Sequence, residues 1–160
     1  MRAALHRQQH GAETAPPVLA ASVAAGREVF WLNTVPYKPI RNRAWSTAVK
    51  RRFQPLMADL LLNTWQGQDV SGERTVVALG REAFFWFGIA QPAEVRVALD
   101  AFWAQGEARY RDTLRIDYRF GDDARHPITL APLPHPSPAN AVWFSRFPGL
   151  TDARLRQLQS

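Results

Sequence analysis

The placement of prolines limits this fold more than any other sequence feature. The chain has 12 prolines in 160 residues, and in the densest group, 132–138, every second residue is a proline. Proline fixes its own φ and lacks an amide hydrogen, so no helix can run through such a segment. Prolines at 16–17 and at 36 and 39 mark two further segments as irregular. Regular elements are therefore expected between these segments.

The stretches between the prolines alternate between strand-like and helix-like patterns. Apolar runs at 29–32, 75–79 and 128–130 predict buried strands, and the strict alternation at 114–120 predicts a strand with one wet face. Apolar residues at helical spacing, with capping residues, predict helices at 18–25, 47–61, 81–87, 92–103 and 151–158. This order predicts an α/β layer fold with a mostly parallel central sheet.

Composition narrows the classes of function. The 20 Lys and Arg against 14 Asp and Glu give a net charge of +6, which attracts polyanions, nucleic acid first among them. The same charge spread evenly would give only solubility. The chain has no cysteine, which excludes thiolate chemistry and cysteine-ligated metals or iron-sulfur clusters.

The distribution of apolar residues predicts the cellular compartment and the order of the N-terminal segment. No run approaches the ~20 residues that span a bilayer, and the N-terminus lacks the apolar stretch of a secretory signal, so a cytoplasmic protein with no membrane partner is expected. Residues 1–17 have no sustained period and are predicted to be a disordered leader. Residues 18–160 are predicted to be one domain, and a monomer.

Two predicted strand ends carry candidate functional residues. In parallel α/β sheets, ligands bind beyond the carboxyl ends of the strands. The first strand ends at Asn33 and opens a loop with the basic and amide residues Lys38, Arg41, Asn42 and Arg43. The last strand runs into the proline-rich segment around His135, whose stiffness holds an imidazole in place at low entropic cost.

Other notable residues have ordinary structural interpretations. The cluster Lys50 to Arg52 is predicted to be a solvated helix face, with a phosphate clamp as the minority interpretation. The aromatic run 84–87 and the residues Trp31, Trp86 and Trp103 are predicted to pack in the core. Tyr37 and Trp143 are candidates for stacking on a base.

The His135 segment resembles the C-terminal motif of the uracil-DNA glycosylase superfamily, on the residues HPSPAN at 135–140 followed by Trp143. The segment FWLNTV at 30–35 resembles the uracil-recognising strand of that family, and VVALGREA at 76–83 is similar to its strand, glycine and helix. Order and spacing agree over about 18–158. The resemblance implies a three-layer α/β/α fold without a cofactor.

What the resemblance implies is hydrolysis of the N-glycosidic bond of a uracil flipped out of DNA. The Asn33 amide can satisfy both the carbonyl and the N–H of the uracil pairing edge. His135 matches the family residue that donates to the carbonyl oxygen of the departing base. The implied DNA-binding residues are Pro136, Ser137, Pro138 and Asn140, together with Lys38, Arg41 and Arg43 of the basic loop.

One element of the family pattern is missing. The water-activating Asp, Asn or Glu of the family follows a first strand in a Gly/Pro-rich loop, and here only Glu13 stands in a segment of faint likeness. A truncated member and a diverged member with reduced or no activity both remain open. No lysine matches a Schiff-base position, which predicts a monofunctional enzyme. The alternatives are a nucleic-acid-binding module without turnover and a small α/β protein in which His135 is structural.

Overall fold

The computed structural model describes residues 31–37, 43–64, 74–121 and 124–158. By its internal contacts the chain divides into two compact units, 1–31 and 32–160. Of the first unit only Trp31 is described, so the predicted leader and the predicted helix at 18–25 lie outside the described residues. All elements named below belong to the second unit.

Helices and strands alternate along most of the second unit. The helices are α1 (Thr47–Asp59), which continues as a π-helical turn (Leu60–Thr64), α2 (Arg81–Trp86), α3 (Ala93–Trp103), a 3₁₀ turn (Gly106–Tyr110), α4 (Ala141–Phe144) and α5 (Phe147–Leu158). The strands are β1 (Arg74–Leu79), β2 (Leu114–Arg119) and β3 (Arg125–Leu133). The α/β class predicted from the alternating patterns is confirmed.

The described strands form a three-stranded sheet in the order β1-β3-β2. β1 is parallel to β3, in register from Arg74 opposite Ile128 to Leu79 opposite Leu133. β2 is antiparallel to β3, and Leu114 lies opposite Leu130. Leu79 and Leu133 therefore bring the carboxyl ends of β1 and β3 to the same edge.

The described part of the sheet is mixed rather than mostly parallel. β2 and β3 are joined by a tight turn, in which the amide of Phe120 donates to the carbonyl of Ala124 at 3.1 Å. A connection this short can join only antiparallel strands, whereas the path from β1 to its parallel neighbour β3 runs through α2 and α3. The Gly121 turn in the sequence already carries the signal for this hairpin.

The core lies between the sheet and the helices α1, α2 and α3. Three of the four aromatics at 84–87 are buried, as predicted, and Phe85 is half-buried. Removal of this apolar surface from water is the main source of stability. The buried cluster contains Met57, Ala58, Leu61, Leu62, Ala78, Phe84, Trp86, Phe87, Val95, Leu99, Phe102, Ile116, Tyr118, Ile128 and Leu130.

Helix α1 begins where its sequence predicts and buries most of the apolar face predicted from its spacing: Met57 is in the core, and Phe53 packs against it. The sequence offers Ser46 or Thr47 as the N-cap, and the structure selects Ser46, whose hydroxyl accepts from the amide of Val49 at 3.4 Å. Leu56, predicted to be buried, is exposed. Lys50, predicted to be solvated, is only 8% exposed and pairs with Glu82 of α2. The prediction was wrong for Lys50 because a partner 32 positions away neutralises its charge.

Two further boundaries differ from prediction. Trp31 and Leu32, placed in a strand by their apolar character, are not in a strand, and Trp31 is exposed. Helix α5 begins at Phe147 and not at Thr151. The earlier start is possible because Pro148 lies in the first turn, where helical amides have no intrahelical acceptor.

Candidate functional site

His135 stands just beyond the carboxyl end of β3. β3 ends at Leu133, Pro134 is buried, and the His135 side chain is exposed. The parallel partner β1 ends opposite Leu133 and passes into Gly80. His135 is thus placed at the edge of the sheet where the sequence predicted a ligand to bind.

Gly80 holds the two strand ends together. Its amide donates to the carbonyl of Leu133 at 2.7 Å. Its φ is +88°, and a Cβ built at this position would lie 2.8 Å from the Cβ of His135. Any side chain at position 80 would therefore displace His135 or the backbone that carries it. The sequence marks Gly80 as the end of a strand but does not indicate this contact.

A run of local hydrogen bonds shapes the segment after His135. The His135 carbonyl accepts from the amide of Ser137 at 2.9 Å, and the Ser137 carbonyl accepts from the amide of Asn140 at 2.8 Å. The Ser137 hydroxyl accepts from the amide of Ala139 at 3.3 Å. That bond uses a lone pair of the hydroxyl, so its hydrogen can still be donated to a ligand.

Asn140 connects this turn to α4. Its carbonyl accepts from the amides of Trp143 and Phe144 at 3.0 and 2.9 Å. Pro136 and Pro138 are exposed, and Asn140 is half-buried. The structure therefore brings His135 and the predicted DNA-binding residues Pro136, Ser137, Pro138 and Asn140 together on one surface turn.

Trp143 packs against the protein. Its ring lies edge-on to Tyr110 with centroids 4.8 Å apart, and the Arg146 guanidinium lies 4.6 Å from its centroid. Arg146 in turn forms two hydrogen bonds to the Glu107 carboxylate at 3.0 and 3.1 Å, which lower the pKa of Glu107. Trp143 thus fastens α4 to the 3₁₀ turn, which makes it a weaker stacking candidate than Tyr37, whose side chain is 64% exposed.

Asn33 is exposed and belongs to a segment that is anchored on α1. Val35 is buried, the Tyr37 ring contacts Phe53 at a centroid distance of 5.6 Å, and the Tyr37 carbonyl accepts from the Trp45 indole at 3.3 Å. Within the described ranges, no hydrogen bond or ring contact joins Asn33 to His135.

The basic loop is described only at its end. Arg43 is exposed shortly before α1. Lys38 and Arg41, predicted to bind DNA, and Glu13, the candidate acid, lie outside the described residues. Their contribution to the site stays a prediction.

One basic residue beside this edge was not predicted as a site residue. Arg81 follows Gly80 directly, is exposed, and places its guanidinium 4.6 Å from the centroid of the Phe85 ring. Its signal in the sequence was an arginine four residues before an aromatic, a spacing at which helical side chains meet.

Neither a metal site nor a membrane span is found in the part of the chain that the structure describes. No group of three or more acidic or histidine side chains there could hold a metal ion. No helix there is long and apolar enough to cross a membrane.

The chain was compared with protein-family models, with curated proteins and with solved structures, and none of them matches it. The residues around His135 therefore carry the functional argument by themselves.

Proposed function

We propose that this protein is a uracil-DNA glycosylase-like enzyme that hydrolyses the N-glycosidic bond of uracil flipped out of DNA, on a three-layer α/β/α fold. The observation that carries the proposal is the placement of His135. Its side chain is exposed at the shared carboxyl edge of β1 and β3, and its Cβ packs close to Gly80. An exposed group at the end of a buried strand, within a proline-rich segment, is suited to act on a ligand.

His135 is proposed to stabilise the departing base. When the C–N bond breaks, its electron pair leaves with uracil, and negative charge builds up on the base carbonyl oxygens. An imidazole N–H aimed at such an oxygen lowers the barrier without reorganisation. The oxygen of a water molecule then bonds to the sugar carbon and releases a proton. The residue that activates this water is not assigned.

The remaining predicted residues have supporting roles in this proposal. The Asn33 amide would satisfy the uracil pairing edge and reject cytosine, which presents an amine to the same donor. The Ser137 hydroxyl hydrogen is available to a phosphate oxygen. Pro136, Pro138 and Asn140 would contact the DNA strand, and Lys38, Arg41 and Arg43 would bind its phosphates. A monomeric, cytoplasmic protein without a cofactor remains part of the proposal.

The test is release of uracil from an oligonucleotide that contains one deoxyuridine, measured at low salt. Four proteins are compared: the wild type, His135→Ala, Asn33→Ala and the control His126→Ala. His126 lies at the opposite end of β3. We expect His135→Ala to lose about 10²- to 10³-fold in rate, the usual effect of removing one such donor, and His126→Ala to keep the wild-type rate.

The outcomes separate the two candidate functions. Loss of activity in Asn33→Ala together with His135→Ala supports both role assignments. Equal loss in His126→Ala and His135→Ala contradicts the role of His135. Preferential binding of uracil-DNA without release of uracil replaces the enzyme with a nucleic-acid-binding module that lacks turnover.

A further inference from the structure

Three exposed arginines from three different helices lie over the Phe85 ring or line the cleft that this ring borders. Arg81 of α2 lies over the Phe85 ring. Arg51 of α1 and Arg96 of α3 line the same cleft as Phe85, a cleft of about 250 Å³. We refer to Arg51, Arg81 and Arg96 as the arginine track. One acidic residue, Asp100, also lines the cleft among the described residues, so the positive charges outnumber the negative ones.

Within the described residues, the guanidinium groups of the arginine track form no ion pairs and are available to a ligand. The carboxylates nearest to Arg81 and Arg96 in sequence are taken by other cations: Glu82 is paired with Lys50, and Glu94 with Arg119. In the ranges that the structure describes, none of Arg51, Arg81 and Arg96 forms an ion pair, and the polar contact of Arg96 is a long hydrogen bond to the Gln91 carbonyl at 3.4 Å. The Lys50 to Glu82 pair also links α1 to α2, which holds Arg51 near α2.

The track begins beside the candidate catalytic residue. Gly80, which immediately precedes Arg81, contacts His135. From Gly80 the α2 helix runs toward Phe85, which lies five residues or about 7.5 Å further along the helix axis. Arg81 is therefore placed to contact a strand whose nucleotide lies at His135. Arg96, whose guanidinium donates to the Gln91 carbonyl, lies further along, toward the end of the sheet where Gln91 bonds Arg119.

We propose that the arginine track binds the sugar-phosphate backbone of the DNA strand that runs past His135. Charge complementarity identifies this occupant: the protein carries a net charge of +6, and arginine guanidinium groups bind phosphate oxygens in pairs of hydrogen bonds. The aliphatic and aromatic wall of the cleft, formed by Phe85, Ile89 and Leu99, suits the apolar side of a deoxyribose. That the bound DNA strand runs past His135 rests on the proposed function, whereas the proposed binding of phosphate by the arginine track does not.

The test uses a fluorescein-labelled thymidine 20-mer, which contains no uracil and reports binding alone. Its affinity is measured by anisotropy between 50 and 200 mM salt for the wild type and two double variants of equal charge. One is Arg51→Gln with Arg81→Gln. The matched control is Arg119→Gln with Arg125→Gln, at the opposite end of the sheet from His135.

We expect the track variant to lose about tenfold in affinity at 50 mM salt. Its slope of log K against log salt should be shallower by about 1.4, since each phosphate contact on a single strand contributes about 0.7. The control should lose less than about threefold. A third variant, Arg51→Lys with Arg81→Lys, keeps the charge but not the paired hydrogen bonds, and should lose clearly less affinity than the glutamine variant, which separates charge loss from misfolding.

Equal losses of affinity in the two glutamine variants would overturn the proposed role of the arginine track, because the overall charge of the protein would then explain binding. Loss of affinity in the lysine variant as large as in its glutamine counterpart also overturns it, because the charge would then not matter. Uracil release is measured on the same proteins. If no protein releases uracil but only the track variant loses affinity, the proposed hydrolase fails and the track stands.

Discussion

The backbone at Gly80 has φ 88° and ψ 170°, a combination open essentially only to glycine. Two constraints meet at this residue: its own conformation, and the His135 Cβ that occupies the space of a side chain. Gly106 shares the positive φ, at +66°, but a Cβ there would meet nothing within 4 Å. Gly106 therefore gives the cost of a positive φ without a side-chain clash, whereas a side chain at position 80 meets both a stricter backbone conformation and His135.

We expect Gly80→Ala to lower the free energy of unfolding by about 2–4 kcal/mol, as the sum of backbone strain and overpacking. Gly106→Ala should cost only about 1 kcal/mol, from strain alone. Urea unfolding of both variants measures the difference. Equal costs would mean that His135 moves aside freely, which would contradict the tight packing of its Cβ against Gly80.

At the scale of elements, a buried arginine docks the C-terminal helix α5. Arg154 is 2% exposed and donates to the carbonyls of Arg111, Asp112 and Pro132 at 3.1, 2.9 and 3.4 Å. Burial lowers the pKa of Arg154, and the nearby Asp112 charge opposes that shift. Because Pro132 lies in β3, this contact connects α5 to the strand that carries His135.

We expect Arg154→Ala to destabilise the protein by about 3 kcal/mol or more, because several buried carbonyls would lose a charged donor. Arg156→Ala is the control on the same helix. Arg156 is exposed and pairs with Asp152 at 2.5 Å, an exposed contact whose loss should cost no more than about 1 kcal/mol. Thermal or urea unfolding compares the two, and similar costs would show that α5 is not held by Arg154.

At the scale of the whole molecule, Tyr118 connects the sheet to two helices. Its side chain is fully buried, its hydroxyl accepts from the Gln54 amide of α1 at 2.5 Å, and its ring stacks on Trp86 of α2 at a centroid distance of 6.1 Å. Burial raises the pKa of Tyr118 from 10.0 to about 12. Because this hydroxyl is buried only in the folded protein, its ionisation changes the free energy of global unfolding.

The sign of the pH dependence follows from that pKa. Below pH 10, Tyr118 is protonated in both states and its contribution to stability is complete. As the pH rises from 10 toward 12, the unfolded state loses the phenolic proton first, so the free energy of unfolding falls. Two units of pKa at 1.36 kcal/mol each correspond to a loss of about 3 kcal/mol from this group. Urea unfolding across this range should show a shallower decline in Tyr118→Phe. Tyr37→Phe, which removes an exposed hydroxyl, should keep the wild-type decline; an unchanged decline in Tyr118→Phe would contradict the linkage.

Some features of this protein are determined by short stretches of its sequence. The Ser46 cap, helix α3 after Pro92, and the alternating strand β2 with its turn at Gly121 all lie where local patterns predict them. Each depends on dihedral preferences and side-chain periodicity within a few residues, so neighbouring residues suffice to specify it. The position of His135 after the last strand is of the same kind.

Other features were decided only by the tertiary structure. The contact of Gly80 with His135, the burial of Lys50 against Glu82 and the docking of Arg154 each join residues far apart in the chain. None has a local pattern, because a glycine, a lysine or an arginine serves equally well on the surface. Their roles arise when loop closure and core packing bring distant groups together, since a buried charge or donor is tolerated only where its partner is already in place.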